Sequence, residues 1–282
     1  MRGTPPVAFQ VAVYADADKD QERNAIVTDC MKKMAAAWKN IQRWDTGKKK
    51  TKTPEESVIV EETVQYDKRT VLPIGTYRED FSPAYLDLTE QNLCLICSEE
   101  AVKGREMLNG IEKTLQKKED NLIIRLTKEN CEVELAKLAE QLNERQKHCK
   151  EKQKEADFDK QKWIQGYMQI CILIENIPEL AIHMGKDQLK RLSTIFSKSR
   201  GFGTIILATG TREGLKDQTD NVVVKSAIEA GHVIIAEGNP MDYTFLDQQQ
   251  FPVQANAVLD EDEAVLLQEE SFRFVQIADE KR

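Results

Sequence analysis

Short apolar runs punctuate the second two thirds of the chain, at YLDL (85–88), NLCLIC (92–97), NLIIRLT (121–127), ICILIE (170–175), TIILAT (204–209) and HVIIAEG (232–238). Each has the length and composition of a buried strand, and between them lie longer segments predicted as helices, at about Glu100–Lys117, Glu132–Tyr167 and Lys186–Ser199. Strands alternating with helices predict a mostly parallel sheet with crossover helices on its faces. Within the second helix Leu135, Leu138 and Leu142 form a narrow stripe, after which NERQKHCKEKQKEADFDKQKW turns almost wholly polar. A charged helical insertion of this kind is expected to project into water or against another domain.

The first 70 residues read differently. VAFQVAVY, with Phe9, Val11 and Val13 alternating, predicts a strand buried on one face, and Ile26, Val27, Cys30, Met31, Met34 and Trp38 predict an amphipathic helix over about Asp18–Asn40. The lysine-rich loop TGKKKTKTPEE and the run SVIVEETV then lead to VLPIGTYREDFSPAYLDL, where the main domain begins. We therefore divide the chain into a connector over 1–70 and an α/β domain over 71–282.

Composition narrows the class. With 282 residues, 40% hydrophobic and 31% charged, the chain has material for a substantial core. No stretch approaches the roughly 20 apolar residues of a membrane span, and the N-terminus lacks a signal-peptide core. A net charge of -8 argues against nucleic acid, which demands clustered Lys and Arg, and the one dense basic run, Lys48, Lys49, Lys50 and Lys52, reads as a solvated loop. Six scattered cysteines suggest buried thiols in a reducing compartment rather than a disulfide framework. Cys94-x-x-Cys97 could suggest a metal or redox pair, but it lies inside an apolar run and no second pair follows, so core packing is the preferred reading.

Three polar runs at strand ends carry the candidate chemistry. In NLCLICSEEAVKGREML an apolar strand, a polar loop and an amphipathic helix follow one another as in a phosphate cradle, whose pattern is G-x-x-x-x-G-K-[ST]. Here Ser98 replaces the first Gly, Lys103 the second, Gly104 the Lys and Arg105 the Ser or Thr. Moving a lysine one place at a helix start turns it by about 100°, so Lys103 is no substitute. Weak anion binding at the helix N-terminus remains conceivable through its N–H groups, opposed by Glu99 and Glu100. In ICILIENIPEL the strand ends at Glu175 and Asn176, where a Walker B strand would place a magnesium-holding Asp and a water-polarising Glu. An amide cannot serve as a general base. Glu175 could contact a metal with one extra methylene, or simply be the polar end of a buried strand, the reading the residues favour. The third strand ends at Thr209, Gly210 and Thr211, where a sensor residue would face a γ-phosphate; Arg200 and Arg212 flank it, and either could be a phosphate-directed arginine or a solvated turn residue.

With these runs in this order, the sequence resembles the FtsK/SpoIIIE class of RecA-like ATPases and, within it, the C-terminal ATPase-like domains of EssC-type coupling proteins of type VII secretion. LPIGTYREDFSPAYLDL is similar to the family's opening segment, NLCLICSEEAVKGREML to its Walker A region, CILIENIPEL to its Walker B region, GFGTIILATGT to its sensor strand and AGHVIIAEGNP to its late strand and turn. The resemblance covers about residues 72–250 and implies a RecA-like, P-loop NTPase-type fold with degenerate Walker motifs.

It further implies a soluble domain at the cytoplasmic face of the cell membrane, in a membrane-anchored protein with tandem ATPase domains whose anchor this chain lacks. The implied partners are small secreted Trp-Xaa-Gly helical-hairpin proteins, other type VII substrates and the upstream ATPase domains. The departures at Lys103, Gly104, Arg105, Glu175 and Asn176 point to a non-catalytic recognition domain, with no cofactor expected and ATP with magnesium only if the degenerate site is active. The alternative is an active ATP-hydrolysing motor module; a DNA translocase ranks below it because the chain is acidic.

Overall fold

The computed structural model of the protein describes residues 69–155, 157–268 and 271–277. The strand and helix expected before residue 69, the basic loop and Cys30 lie outside the described residues. Among the described residues nine strands form one sheet. In chain order the elements are β1 (Val71–Tyr77), β2 (Pro83–Asp87), β3 (Leu93–Ser98), α1 (Ala101–Gln116), β4 (Asn121–Leu126), α2 (Cys131–Lys152), α3 (Lys160–Gln165), β5 (Gln169–Ile174), α4 (Ile177–His183), α5 (Lys186–Lys198), β6 (Thr204–Thr211), α6 (Arg212–Asp217), α7 (Val222–Ile228), β7 (His232–Ile235), β8 (Glu263–Gln268) and β9 (Ser271–Ile277).

The sheet order is β2-β1-β9-β8-β7-β3-β6-β5-β4. From β7 to β4 all pairings are parallel, while β8, β9, β1 and β2 add an antiparallel wing. The expected mostly parallel sheet with flanking helices is thus present in the five strands from β7 to the β4 edge. β3, β5 and β7 are buried at every position, as strands covered on both faces must be. Alternation along β3 then assigns its residues to opposite faces: Leu95 and Cys97 join the core beneath α2, α4, α5 and α7, whereas Cys94 and Ile96 join a second core with Met107, Leu108, Ile111 and Leu115 of α1. The antiparallel wing contributes Leu72, Ala84 and Leu86 to that second core. Because Cys94 and Cys97 belong to opposite faces, they cannot close on one metal or form a redox pair. Burial pushes both thiols well above their ordinary pKa.

Two expectations need correction. The single helix predicted over Glu132–Tyr167 is two, α2 and α3, separated at residues 153–159; Asp159 caps α3 by accepting from the backbone N–H groups of Gln161 and Lys162. Nor does the charged end of α2 project away from the domain. The buried stripe Cys131, Leu135, Leu138, Leu142 continues at helical spacing through Arg145 and Cys149. The Arg145 guanidinium donates to the Phe202 carbonyl at 2.9 Å and the Met168 carbonyl at 2.8 Å, and lies over the Tyr167 ring. An arginine stem with its head on backbone carbonyls thus occupies a core position.

Candidate functional site

Parallel register brings the C-terminal ends of β3, β5, β6 and β7 to one rim, where ligands of open α/β sheets bind. The strand ending at Thr209–Thr211 lies between the one that ends at Ser98 and the one that Glu175 directly follows. Ser98, Gly104, Arg105, Glu175, Asn176 and Thr209 therefore meet at this rim, and Lys103 starts from it but reaches away.

Gly104 explains how tightly the first turn of α1 presses on the strands. A β-carbon there would stand 2.9 Å from Ser98 Oγ and 3.4 Å from Thr209 Cβ. Ser98 is buried and its hydroxyl donates to the Glu100 carbonyl at 2.7 Å. A cradle lysine at this position would crowd the Ser98 hydroxyl. Lys103 instead sends its ammonium to the Glu261 carbonyl at 2.5 Å, outside the loop.

Opposite the cradle, Glu175 is held by two arginines. Arg105 Nη1 is 3.5 Å from Glu175 Oε1, and Arg125 Nη1 is 3.1 Å from Oε2. Arg125 also contacts Glu112 and donates to Asn109 Oδ1 at 2.7 Å, which ties β4, β5 and α1 together. In a working site the residue at position 105 and the acid at 175 would face one metal ion; here the two side chains meet as guanidinium and carboxylate. Asn176 adopts φ 53°, its N–H donates to Thr209 Oγ1 at 2.8 Å, and its amide donates to Glu179 Oε2 at 3.0 Å. The hydroxyl at the sensor position thereby accepts from the neighbouring turn.

Charged participants that were not singled out from sequence include Arg125, Glu112, Asp242 and Glu237. The Glu99 and Glu100 N–H groups donate to the same oxygen, Glu237 Oε2, at 3.1 and 2.9 Å. Two of the loop's donors, expected to be available to an anion, therefore already hold a carboxylate. Arg212 pairs with Glu99 at 2.9 Å and Asp242 at 3.1 Å, so of the two flanking arginines this one belongs to the rim. Arg200 lies at the opposite edge, before β6, 3.7 Å from Glu90, which precedes β3. Burial, with Glu99 and Glu237 nearby, pushes the Tyr243 phenol up, and that hydroxyl donates to the Glu237 carbonyl at 2.7 Å.

Cavities of about 420 and 480 Å³ share Leu122 and Gln141 and run between β4 and α2, the first reaching Arg125 and Asn130, the second Arg145, His148 and Tyr167. Among the described residues no group of three or more His, Cys, Asp or Glu is arranged to hold a metal ion, and no helix is long and apolar enough to cross a membrane.

No family model matches the chain, and no curated protein matches it in sequence. Solved structures do. The cytoplasmic domain of EssC is similar over 94% of this chain and 55% of its own, at 13% identity and a TM-score of 0.58. EssC (ATPases 2 and 3) from Geobacillus thermodenitrificans is similar over 94% of this chain and 52% of its own, at 12% identity and a TM-score of 0.57. Thermomonospora curvata EccC (ATPases 2 and 3), solved in complex with a signal sequence peptide, is similar over 76% of this chain and 41% of its own, at 12% identity and a TM-score of 0.54. The chain thus spans about half the length of the EssC structures it matches. These likenesses give the fold, that of the ATPase domains of type VII secretion proteins.

Proposed function

We propose that this chain is a non-catalytic recognition domain of a type VII secretion coupling protein, using an ATPase fold to engage secreted polypeptides and to regulate the ATPase domains it accompanies. The observation that carries this reading is the pairing of Arg105 with Glu175 where a magnesium ion would join their counterparts. As placed, the rim residues do not fit a magnesium triphosphate: position 104 is a glycine and carries no cation, Glu175 is paired with two arginines, and Asn176 offers no general base. Phosphoryl transfer is catalysed by positioning and charge stabilisation, and the loss of one such group costs on the order of a few kcal/mol of barrier. Several are missing together.

The partners follow from the fold likeness and the family resemblance. EccC of Thermomonospora curvata was solved with a signal sequence peptide, which supports small secreted helical-hairpin proteins and related substrates as the class to test here. On this reading the domain works at the cytoplasmic face of the membrane as part of a longer protein, without nucleic acid. The decisive measurement pairs two assays on the same preparation. Magnesium-dependent ATP turnover should equal the blank, with no thermal shift in millimolar ATP, whereas titration with co-expressed secreted hairpin proteins should show saturable binding. Turnover that disappears in E175A would establish the motor module instead; failure to bind any hairpin protein, alone or as a dimer, would remove the recognition role.

A further inference from the structure

Glu237 stands two residues past the end of β7, and its carboxylate enters the loop that in a nucleotide-binding protein would surround phosphate. We infer that Glu237 is the built-in anion of this cradle: it takes the N–H groups of Glu99 and Glu100, holds the loop in a phosphate-gripping shape, and excludes free phosphate from it. Its importance for function rests on the non-catalytic reading above; its geometry does not.

Consecutive backbone N–H groups converging on one oxygen form a nest, a concavity suited to an anion. Here the oxygen is Glu237 Oε2, from a residue 138 positions away in the chain. The backbone behind it is fixed. The Ala236 N–H donates to the Cys97 carbonyl at 2.8 Å, extending the β7–β3 ladder to the residue before Glu237, and the buried Tyr243 hydroxyl grips the Glu237 carbonyl. Gly238 then turns the chain at φ 82°, and a β-carbon there would come within 2.6 Å of Glu99 Oε1. The carboxylate is thereby delivered from a braced turn.

Charge completes the case. A cradle already lined by Glu99 and Glu100 should tolerate a third carboxylate poorly, yet Arg212 draws the Glu99 side chain aside and pairs with Asp242 as well. Across the rim Arg105 supplies the cation for Glu175. The positions of the anion and the cation are both filled from within the chain, so a phosphate entering wild-type protein would have to expel a tethered carboxylate held by two N–H groups.

The test uses the full chain with E237A, E237Q and wild type, read by amide hydrogen exchange and backbone chemical shifts, with inorganic phosphate as the probe. In wild type the Glu99 and Glu100 amides should be protected and unmoved by millimolar phosphate. In E237A their exchange should rise roughly tenfold or more, as expected for loss of a hydrogen bond to a charged acceptor, and phosphate should restore the protection. E237Q retains an acceptor oxygen on an uncharged group; it should fold as wild type does and lose protection only partly, which separates the role of charge from loss of the fold. Unchanged exchange in E237A, loss of protection that phosphate does not restore, or equal phosphate shifts in wild type and E237A would each overturn the inference. None of these readouts depends on ATP turnover or partner binding, so the failure of one reading is distinguishable from that of the other.

Discussion

The rim at the C-terminal ends of the strands and the flank formed by β4 and α2 handle charge in opposite ways. At the rim, charges meet charges: Arg105 and Arg125 on Glu175, Arg212 on Glu99 and Asp242. On the flank, Arg145 is buried in the helix stripe and held by two carbonyls and an aromatic face, and a cavity of about 480 Å³ remains beside it. A partly exposed ion pair contributes little to stability because water solvates both partners well in the unfolded chain. A buried cation on carbonyls is costly to disturb, since its removal leaves two acceptors without their charged donor. The flank should therefore govern stability and the rim should govern what is admitted.

The largest effect breaks the support that both regions share. Burial holds the Cys94 and Cys97 thiols of β3 well above their ordinary range and pushes Cys171 of β5 up to about 12. An unfolded thiol ionises near 8.5, so above that pH the unfolded chain binds fewer protons than the folded one and stability falls as pH rises; below it the contribution is fully present. The loss should reach about 1.4 kcal/mol per buried thiol by pH 9.5. Urea unfolding under reducing conditions at pH 7.5 and 9.5 checks this, and equal midpoints would show that the thiols are not sealed.

On the flank, Arg145→Ala should cost about 3 kcal/mol, because the Phe202 and Met168 carbonyls lose a charged donor in a buried setting. Arg145→Lys should fall between, since one ammonium replaces a fork that spans two carbonyls. At the rim, Arg125→Ala removes contacts to Glu112, Glu175 and Asn109 but leaves Glu175 with Arg105, and its cost should be about 1 kcal/mol. If chemical denaturation ranked Arg125 above Arg145, the contrast between the two regions would be reversed.

How much of this was legible depended on the range of the interactions. Four of the six apolar runs, in β3, β5, β6 and β7, became strands because burial on both faces leaves an uninterrupted hydrophobic word in the sequence, whereas the runs in β2 and β4 form partly exposed edge strands. The order of the three polar runs was enough to suggest the ATPase fold. The strands β8 and β9 were not anticipated: EAVLLQ is a short apolar run between polar ends, buried only at Ala264, Val265 and Leu266, and SFRFVQI is partly exposed, with polar residues between apolar ones. The helices α4, α6 and α7 have six or seven residues each, about two turns, too short for a period to declare itself. Arg145 concealed the continuation of the α2 stripe because a charged residue reads as solvent-facing. Glu237 had no local signal, since its role exists only once parallel pairing sets β7 beside β3.

The smallest expected change is the most pointed: rewriting the cradle to its consensus should yield no ATPase. In S98G/K103G/G104K/R105T the four departures at the loop are reversed on paper, and a pattern-based view would anticipate turnover. The new lysine at 104 would have to grow where a β-carbon already meets Ser98 and Thr209; changing Ser98 to Gly relieves only the first of these. Glu237 would still occupy the N–H groups of residues 99 and 100, and Asn176 would still lack a basic carboxylate. Losing Arg105 leaves Glu175 clamped by Arg125 at 3.1 Å, so a magnesium ion would face a neutralised acid. Phosphate release with magnesium ATP should therefore match wild type at the blank level, and adding E237A should restore anion binding before it restores chemistry. Turnover in the fourfold variant alone would mean that the rim is closed by its motif residues and not by the partners that the fold brings to them.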